Sequence, residues 1–228
     1  MNRPLNPRHG FSLVELLMVI AIIALLAALL FPVLGRARKQ VDNTGCLSNL
    51  GQIGRGIATY MTDYDGLFPH AVDPSDKFAP EIWFQYPEFQ ARIPSMPFLH
   101  EVVQAYLKNP EAFKCPSDTG FSILDSNFPL AFDARPTMYQ KYGTSYFFRT
   151  EIAFRYFTRD HFELPASVNV LFDAAGHWHG DARALRPGDS LSDYFELRNK
   201  YRYNVLFGDW SVRNLTADQL DRAWMVEL

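Results

Sequence analysis

Apolar residues form an almost unbroken run from Phe11 to Leu34, after a polar stretch that contains Arg3 and Arg8. As a helix, this run would be about 36 Å long, which is enough to cross roughly 30 Å of bilayer hydrocarbon. The pattern therefore predicts a transmembrane helix over 11–34. Its one charged residue is Glu15, and a carboxylate at the centre of a membrane helix costs roughly 2.5–3.5 kcal/mol.

From residue 35 to 65 the pattern stays helical but becomes amphipathic, which predicts a continuation of the same helix packed on a core. The apolar stripe recurs at steps of three and four and comprises Leu47, Leu50, Ile53, Ile57, Tyr60 and Tyr64. Four glycines (Gly45, Gly51, Gly54 and Gly56) each cost about 1 kcal/mol in a helix. They predict a bend or the close approach of another surface. Asp65-Gly66 ends the helix.

The remaining residues, 66–228, are predicted to form a globular domain. Short segments rich in β-branched and aromatic residues predict strands over 144–148, 168–173 and 203–207, with a hairpin turn at 208–210 leading into a last strand. Helices are predicted over 98–108 and 218–225. One long helix followed by irregularly spaced strands predicts an α+β fold with a small antiparallel sheet.

Prolines and aromatic residues are concentrated between residues 68 and 100. We expect most of these rings to be buried in an irregular region. The alternative is an aromatic surface on which a sugar or another ligand stacks.

Three interpretations of the apolar run are open on its length and flanks. A cleaved secretory signal has an apolar core of only about 7–15 residues, which is shorter than this run. A simple membrane anchor fits the length but leaves Glu15 unexplained. The basic residues do not fix an orientation, because Arg3 and Arg8 lie on one side and Arg36, Arg38 and Lys39 on the other.

The third interpretation rests on the sequence GFSLVE at residues 10–15, which resembles the processing site of type IV prepilins and type II secretion pseudopilins. The resemblance implies that residues 1–10 are a basic leader removed after Gly10, that Phe11 becomes N-methylated, and that Glu15 acts in assembly. Pro32 stands where such proteins carry a helix-bending proline. The new amine on Phe11 of one subunit would then offset the buried Glu15 carboxylate of a neighbour.

The same resemblance implies a pilin-like fold and a set of partners. The expected partners are a prepilin peptidase and methyltransferase, other pilin or pseudopilin subunits, an inner-membrane assembly platform and the lipid bilayer. The expected location is the bacterial inner membrane, crossed once, with a cytoplasmic N-terminus and a periplasmic or extracellular C-terminal domain.

A second resemblance is to the prepilin-type proteins of planctomycetes. It rests on four separated stretches of the chain, CLSNL at 46–50, YDG at 64–66, FKCPSD at 113–118 and NVLFGD at 204–209. Some of those proteins carry a signature of His, nine residues and Asp-Gly. Here Asp209 matches the Asp, but Trp210 replaces the Gly and Asn199 stands in place of the His, so the signature is degraded.

Composition narrows the classes of partner. The formal net charge is −3, so no basic field favours nucleic acid and none is expected as a partner. The two cysteines, Cys46 and Cys115, have no CxxC spacing. In an exported domain they could form one disulfide, and in a reducing compartment they would be buried thiols. A bridge would be worth about 4 kcal/mol in the chain-entropy model.

Candidate chemistry is sparse. His177 and His179, with Asp173 and Asp181 close by, would project to one face of a strand and form the best metal-like cluster. A polar loop is the simpler interpretation, so no metal is assigned. Calcium is the one cofactor considered, at Asp63 and Asp65 or at Asp181 and Asp189, although neither pair matches an EF-hand.

No hydrolase, nucleotide-binding or zinc-protease motif is present, so no catalytic residue is assigned and no enzymatic activity is expected. The favoured function is that of a filament subunit in a type IV pilus or type II secretion pseudopilus. The alternatives are a membrane-anchored module that binds polysaccharide or another surface ligand, and an ectoenzyme with a metal near His177 and His179.

Overall fold

The computed structural model describes residues 13–121, 133–186 and 188–228. The chain divides into two compact units, one ending at Val41 and the other beginning at Asp42. The helices are α1 (Leu13–Asp63), α2 (Pro74–Phe78), α3 (Pro87–Arg92), α4 (Leu99–Val103), α5 (Met138–Tyr142), α6 (Glu151–Phe154), α7 (Leu191–Arg198) and α8 (Ala217–Trp224). The strands are β1 (Tyr146–Phe148), β2 (Asn169–Asp173), β3 (Arg202–Phe207) and β4 (Val212–Thr216).

The four strands form one antiparallel sheet in the order β1-β2-β3-β4. Tyr146 pairs with Asp173 across β1 and β2, and Tyr203 pairs with Leu215 across β3 and β4. The predicted α+β class, with one long helix and a small antiparallel sheet, is confirmed, and the architecture is pilin-like.

The C-terminal half of α1 packs into the core of the second unit. Its buried stripe comprises Cys46, Leu50, Ile53, Ile57 and Tyr60, as the helical spacing predicts. The prediction for Tyr64 was wrong, because this residue lies just past the end of α1 and is 50% exposed. Its ring stacks on that of Tyr60 with a centroid separation of 4.0 Å.

Both faces of the sheet are covered. Side chains alternate along β3, so successive residues of this strand contact different elements on the two faces. Asn204 donates a hydrogen bond to Asn43 of α1 at 2.9 Å, and Leu206 lies against Gly54 of the same helix. Tyr203 points to the opposite face, where α8 packs on the sheet through Leu220 and Ala223 among other residues.

Short helices replace the predicted irregular region between α1 and the sheet. The expected helix over 98–108 is divided into α4 and a 3-10 turn at Gln104–Tyr106. Some of the aromatic rings of this region are buried and others are exposed. Trp83 and Phe89 are buried in a second apolar cluster, whereas Phe84 is 70% exposed.

Three of the four glycines singled out in α1, Gly45, Gly54 and Gly56, mark close approach of another surface, whereas Gly51 does not. A Cβ at Gly56 would lie 2.7 Å from Leu107 Cδ2 and 3.0 Å from Val103 Cγ1. A Cβ at Gly51 would meet its nearest atom, on Arg55, at an ordinary 3.7 Å. The same substitution therefore meets different surroundings at two positions of one helix.

We predict that Gly51→Ala raises the free energy of unfolding by up to about 1 kcal/mol, the gain in helix propensity. Gly56→Ala should give a value at least about 1 kcal/mol lower than Gly51→Ala, because overpacking costs about 1–3 kcal/mol. Urea unfolding of the full chain in detergent, followed by tryptophan fluorescence, measures both. Equal stabilisation by the two substitutions would contradict the close packing at Gly56.

Candidate functional site

The N-terminal half of α1 presents apolar side chains on all sides. From Leu13 to Leu34, its large apolar residues are between 47% and 76% exposed. This helix is long and apolar enough to cross a membrane, and its most apolar window is not buried by the rest of the chain. An exposed apolar surface of this size requires a lipid or protein environment.

Glu15 lies in the first turn of α1, with an exposed side chain. A carboxylate in the first turn is favourably placed relative to the helix dipole. Pro32 lies inside α1, which continues past it to Asp63. Gly10 and Phe11 lie outside the described residues, so the predicted processing point has no structural description.

Cys46 of α1 is joined to Cys115 by a disulfide, with a Cα–Cα distance of 4.9 Å. The pairing that the sequence left open is therefore present in the structure. Both residues are buried. The bridge fastens the C-terminal half of α1 to the turn over 113–118, where Asn49 also donates a hydrogen bond to the Lys114 carbonyl at 2.7 Å.

His177 and His179 do not share one face of a strand, in agreement with the loop interpretation of this segment. Gly176–Trp178 forms a 3-10 turn after β2, so the alternation of a strand does not apply. His177 Nε2 lies 3.4 Å from Thr119 Oγ1. His179 Nε2 instead lies 3.2 Å from Asp173 Oδ2 and 3.4 Å from Cys115 Sγ.

Of the acids predicted beside these histidines, Asp173 contacts His179. Within the described ranges, the one group of three potential ligands is Cys46, Cys115 and His179, so Asp181 is outside it. Asp189 forms an ion pair with Arg183 at 2.6 Å, which lowers the pKa of Asp189 to about 2. Calcium binding stays a prediction.

A cavity of about 610 Å³ opens on the face of the sheet that α8 covers. This volume is typical of small-molecule sites. Aromatic residues form much of its wall, namely Trp83, Phe84, Tyr86, Phe147, Phe148, Phe172, Tyr203 and Trp224. Polar side chains at Gln85, Thr150, Glu151 and Asp221 also line it. The cavity thus combines ring surfaces with hydrogen-bonding groups.

Two buried acids, Asp73 and Asp76, form part of the cavity lining. Asp73 caps α2 and accepts a hydrogen bond from the Phe148 backbone N–H at 3.0 Å. Asp76 accepts hydrogen bonds from Trp83 Nε1 at 2.7 Å and Thr150 Oγ1 at 2.6 Å. The pair therefore anchors α2 and Trp83 to β1 and the start of α6.

Burial and the neighbouring Asp76 carboxyl raise the pKa of Asp73 well above its usual value. Burial also raises the pKa of Asp76. Both shifts follow from the cost of placing charge in an apolar environment. Each carboxyl oxygen already accepts at least one hydrogen bond from the protein, so we assign this pair a structural role.

Arg149 holds the C-terminal segment beside the cavity. Its buried guanidinium donates hydrogen bonds to the carbonyl oxygens of Ala223, Trp224 and Val226 at 3.0–3.3 Å. It also forms an ion pair with Glu151 at 3.1 Å. Burial lowers the pKa of Arg149. These bonds fix Trp224, whose ring lines the cavity.

Neither Arg149 nor the Asp73–Asp76 pair was predicted from the sequence. A signal was present for the acids, since Asp73-Pro74-Ser75-Asp76 places an acceptor at the N-cap, a proline at the first helical position and an acid two residues later. Arg149 gives no comparable signal, because its hydrogen-bond partners other than Glu151 are 20 or more residues away in the sequence.

Comparison with known proteins identifies the N-terminal segment. Residues 5–31 match the family model of the prokaryotic N-terminal methylation motif. The chain carries a type IV pilin-like N-terminus. The matched segment includes Gly10, Phe11 and Glu15, the residues that the sequence resemblance singled out.

Two relatives match part of the chain. The type IV wide pilus major component PilA4 of Thermus thermophilus is 63% identical over 54 residues, which cover 24% of this chain and 41% of that protein. The ComG operon protein 3 homolog of Bacillus licheniformis is 27% identical over 64 residues, which cover 28% of this chain and 66% of that protein. The chain thus spans less than two thirds of either relative. No solved structure matches it.

Proposed function

We propose that this protein is a structural subunit of a type IV pilus-like filament or of a type II secretion pseudopilus. The observation that carries the proposal is the first half of α1, whose large apolar side chains are exposed and which lies within a pilin-like N-terminal motif. In the membrane, lipid covers this surface. In a filament, the equivalent helices of neighbouring subunits cover it.

Processing prepares the chain for this exchange of environments. A prepilin peptidase cleaves after Gly10 on the cytoplasmic side of the inner membrane, and its methyltransferase activity modifies the new amine of Phe11. The protein crosses the membrane once, with its second unit on the periplasmic or extracellular side. An assembly platform in the inner membrane then moves subunits from the bilayer into the filament.

Glu15 sets the register of assembly in this proposal. The Phe11 amine of one subunit and the Glu15 carboxylate of its neighbour form an ion pair in apolar surroundings. Removing one partner of a buried ion pair costs about 3–5 kcal/mol, because the other charge remains uncompensated. The role is mechanical rather than catalytic, and extension of the filament pushes a substrate or displays the second unit.

We expect Glu15→Ala to leave membrane insertion and cleavage after Gly10 intact but to reduce filament assembly at least tenfold, because the Phe11 amine loses its partner. Sheared-filament yield and immunoblots of membrane fractions measure the two steps. Asp42→Ala is the matched control, since it removes an acid from the same helix beyond the apolar run. Normal filaments from Glu15→Ala would refute the proposed role of this residue.

The cavity in the second unit supports a second candidate function, a membrane-anchored module that binds polysaccharide. Phe84 and Tyr86 are 70% and 38% exposed and line the cavity together with Gln85 and Glu151. Exposed rings beside amide and carboxylate groups suit a sugar ring, which offers both apolar faces and hydroxyl groups.

Phe84→Ala should weaken binding of the full chain to immobilised peptidoglycan fragments by at least fivefold with little change in stability, because this ring is mostly exposed. Phe78→Ala is the control, since Phe78 is 58% exposed but does not line the cavity. Surface plasmon resonance compares the variants. Equal affinities for the wild type and both variants, or no binding at all, would exclude this function for the cavity.

A further inference from the structure

The buried cluster around the disulfide contains more ligand atoms than a structural bridge needs. The two sulfurs of Cys46 and Cys115 and one ring nitrogen of His179 lie within 4.8 Å of one another. His179 Nε2 is 3.4 Å from Cys115 Sγ. It is also 3.2 Å from Asp173 Oδ2. Two thiols, an imidazole and a carboxylate are the ligand types that zinc uses in proteins.

The four candidate ligand side chains are all buried, which is unusual for a carboxylate such as that of Asp173. The side chains of His179 and Asp173 are 1% and 0% exposed, and both cysteines are also buried. Among the described residues, Asp173 Oδ1 and His179 Nδ1 have no hydrogen-bond partner. A buried polar atom left without a partner costs about 1–3 kcal/mol. The oxidised site therefore holds spare ligand capacity beside the bridge.

The distances between the ligand atoms suit tetrahedral coordination of a metal ion once the disulfide is reduced. Metal–ligand bonds of about 2.0–2.3 Å place the ligand atoms of a tetrahedron roughly 3.3–3.8 Å apart. The distances from His179 Nε2 to Cys115 Sγ and to Asp173 Oδ2 are already close to these values. The two sulfurs have to separate from bonded contact to roughly 3.8 Å. The Asp173 carboxylate, which lies outside the group of ligand atoms within 4.8 Å of one another, has to move towards them.

The elements that bring the ligands together also support the site. Cys46 lies on α1, and Asp173 ends β2. The Asn204 backbone N–H donates to Asp173 Oδ2 at 2.5 Å, and the Ser145 hydroxyl accepts from the Cys115 N–H at 3.1 Å. Such outer contacts orient metal ligands and strengthen binding.

We propose that, when the disulfide is reduced, Cys46, Cys115 and His179 bind a zinc-type divalent metal ion, and that the Asp173 carboxylate completes the site. The bridge and the metal are then alternative cross-links between α1 and the turn over 113–118. The second unit keeps this cross-link in an oxidising compartment and in a reducing one. This inference does not depend on filament assembly.

The chemistry balances with a phosphine as the reductant. Tris(2-carboxyethyl)phosphine and one water convert the bridge into two thiols, and the phosphine becomes its oxide. Binding of the metal then releases the two thiol protons, as thiolates are the ligands.

Titration with Co²⁺, a spectroscopic substitute for Zn²⁺, tests the proposal on the tag-free full chain in detergent. We expect the phosphine-reduced protein to bind one equivalent, with thiolate-to-cobalt charge-transfer absorption and the visible bands of a tetrahedral site. One equivalent of Zn²⁺ should remove both. The oxidised protein should show neither. Binding without the charge-transfer band, or no binding after reduction, would overturn the proposal.

Variants then assign the ligands. His179→Gln should weaken Co²⁺ binding at least tenfold, whereas His177→Gln, two residues away in the same turn, should bind like the wild type. Equal effects of the two substitutions would count against His179 as a ligand. X-ray absorption of the zinc-loaded, reduced wild type needs no variant to fold. We expect two sulfur ligands, and a first shell without sulfur would contradict the site.

Discussion

The exposed apolar surface of the first half of α1 determines the environment that this chain requires. The large apolar side chains from Leu13 to Leu34 are between 47% and 76% exposed. In water, burying such a surface is worth about 25 cal/mol per Å². The segment therefore needs either lipid or other helices around it, and a filament subunit is a protein that uses both in turn.

The second half of the same helix meets the opposite requirement, since it must hold a folded domain in place. It does so with a buried stripe, a hydrogen bond between Asn43 and Asn204, and the Cys46–Cys115 bridge. The close approach at Gly54 and Gly56 lets Leu206 and Leu107 pack against the helix backbone. These contacts come from distant parts of the sequence, so the domain depends on α1 as much as α1 depends on the domain.

Local patterns predicted most of the fold. The amphipathic half of the long helix follows from its apolar periodicity, and β1, β2 and β3 follow from segments rich in β-branched and aromatic residues. His177-Trp178-His179 alternates like a strand, but Gly176–Trp178 forms a 3-10 turn, in keeping with the loop interpretation of this segment. Trp210 stands at the Gly position of the planctomycete signature and has a φ of 67°, in the region that favours glycine.

The sites were less predictable, and for a physical reason. Gly10, Phe11 and Glu15 are recognisable because processing requires neighbouring residues in a fixed order. The cavity and the Cys46–Cys115–His179 cluster are assembled from α1, the turn at 113–118, β2 and the segments around α2 and α8. These residues are far apart in the sequence, so no local spacing predicts that they come together, and only the tertiary structure shows it.

Mass spectrometry of the N-terminal peptide from the membrane-extracted protein tests the central claim most directly. The filament-subunit account predicts a mature chain that starts with N-methylated Phe11. An intact Met1, or a terminus beyond Leu34, would contradict it.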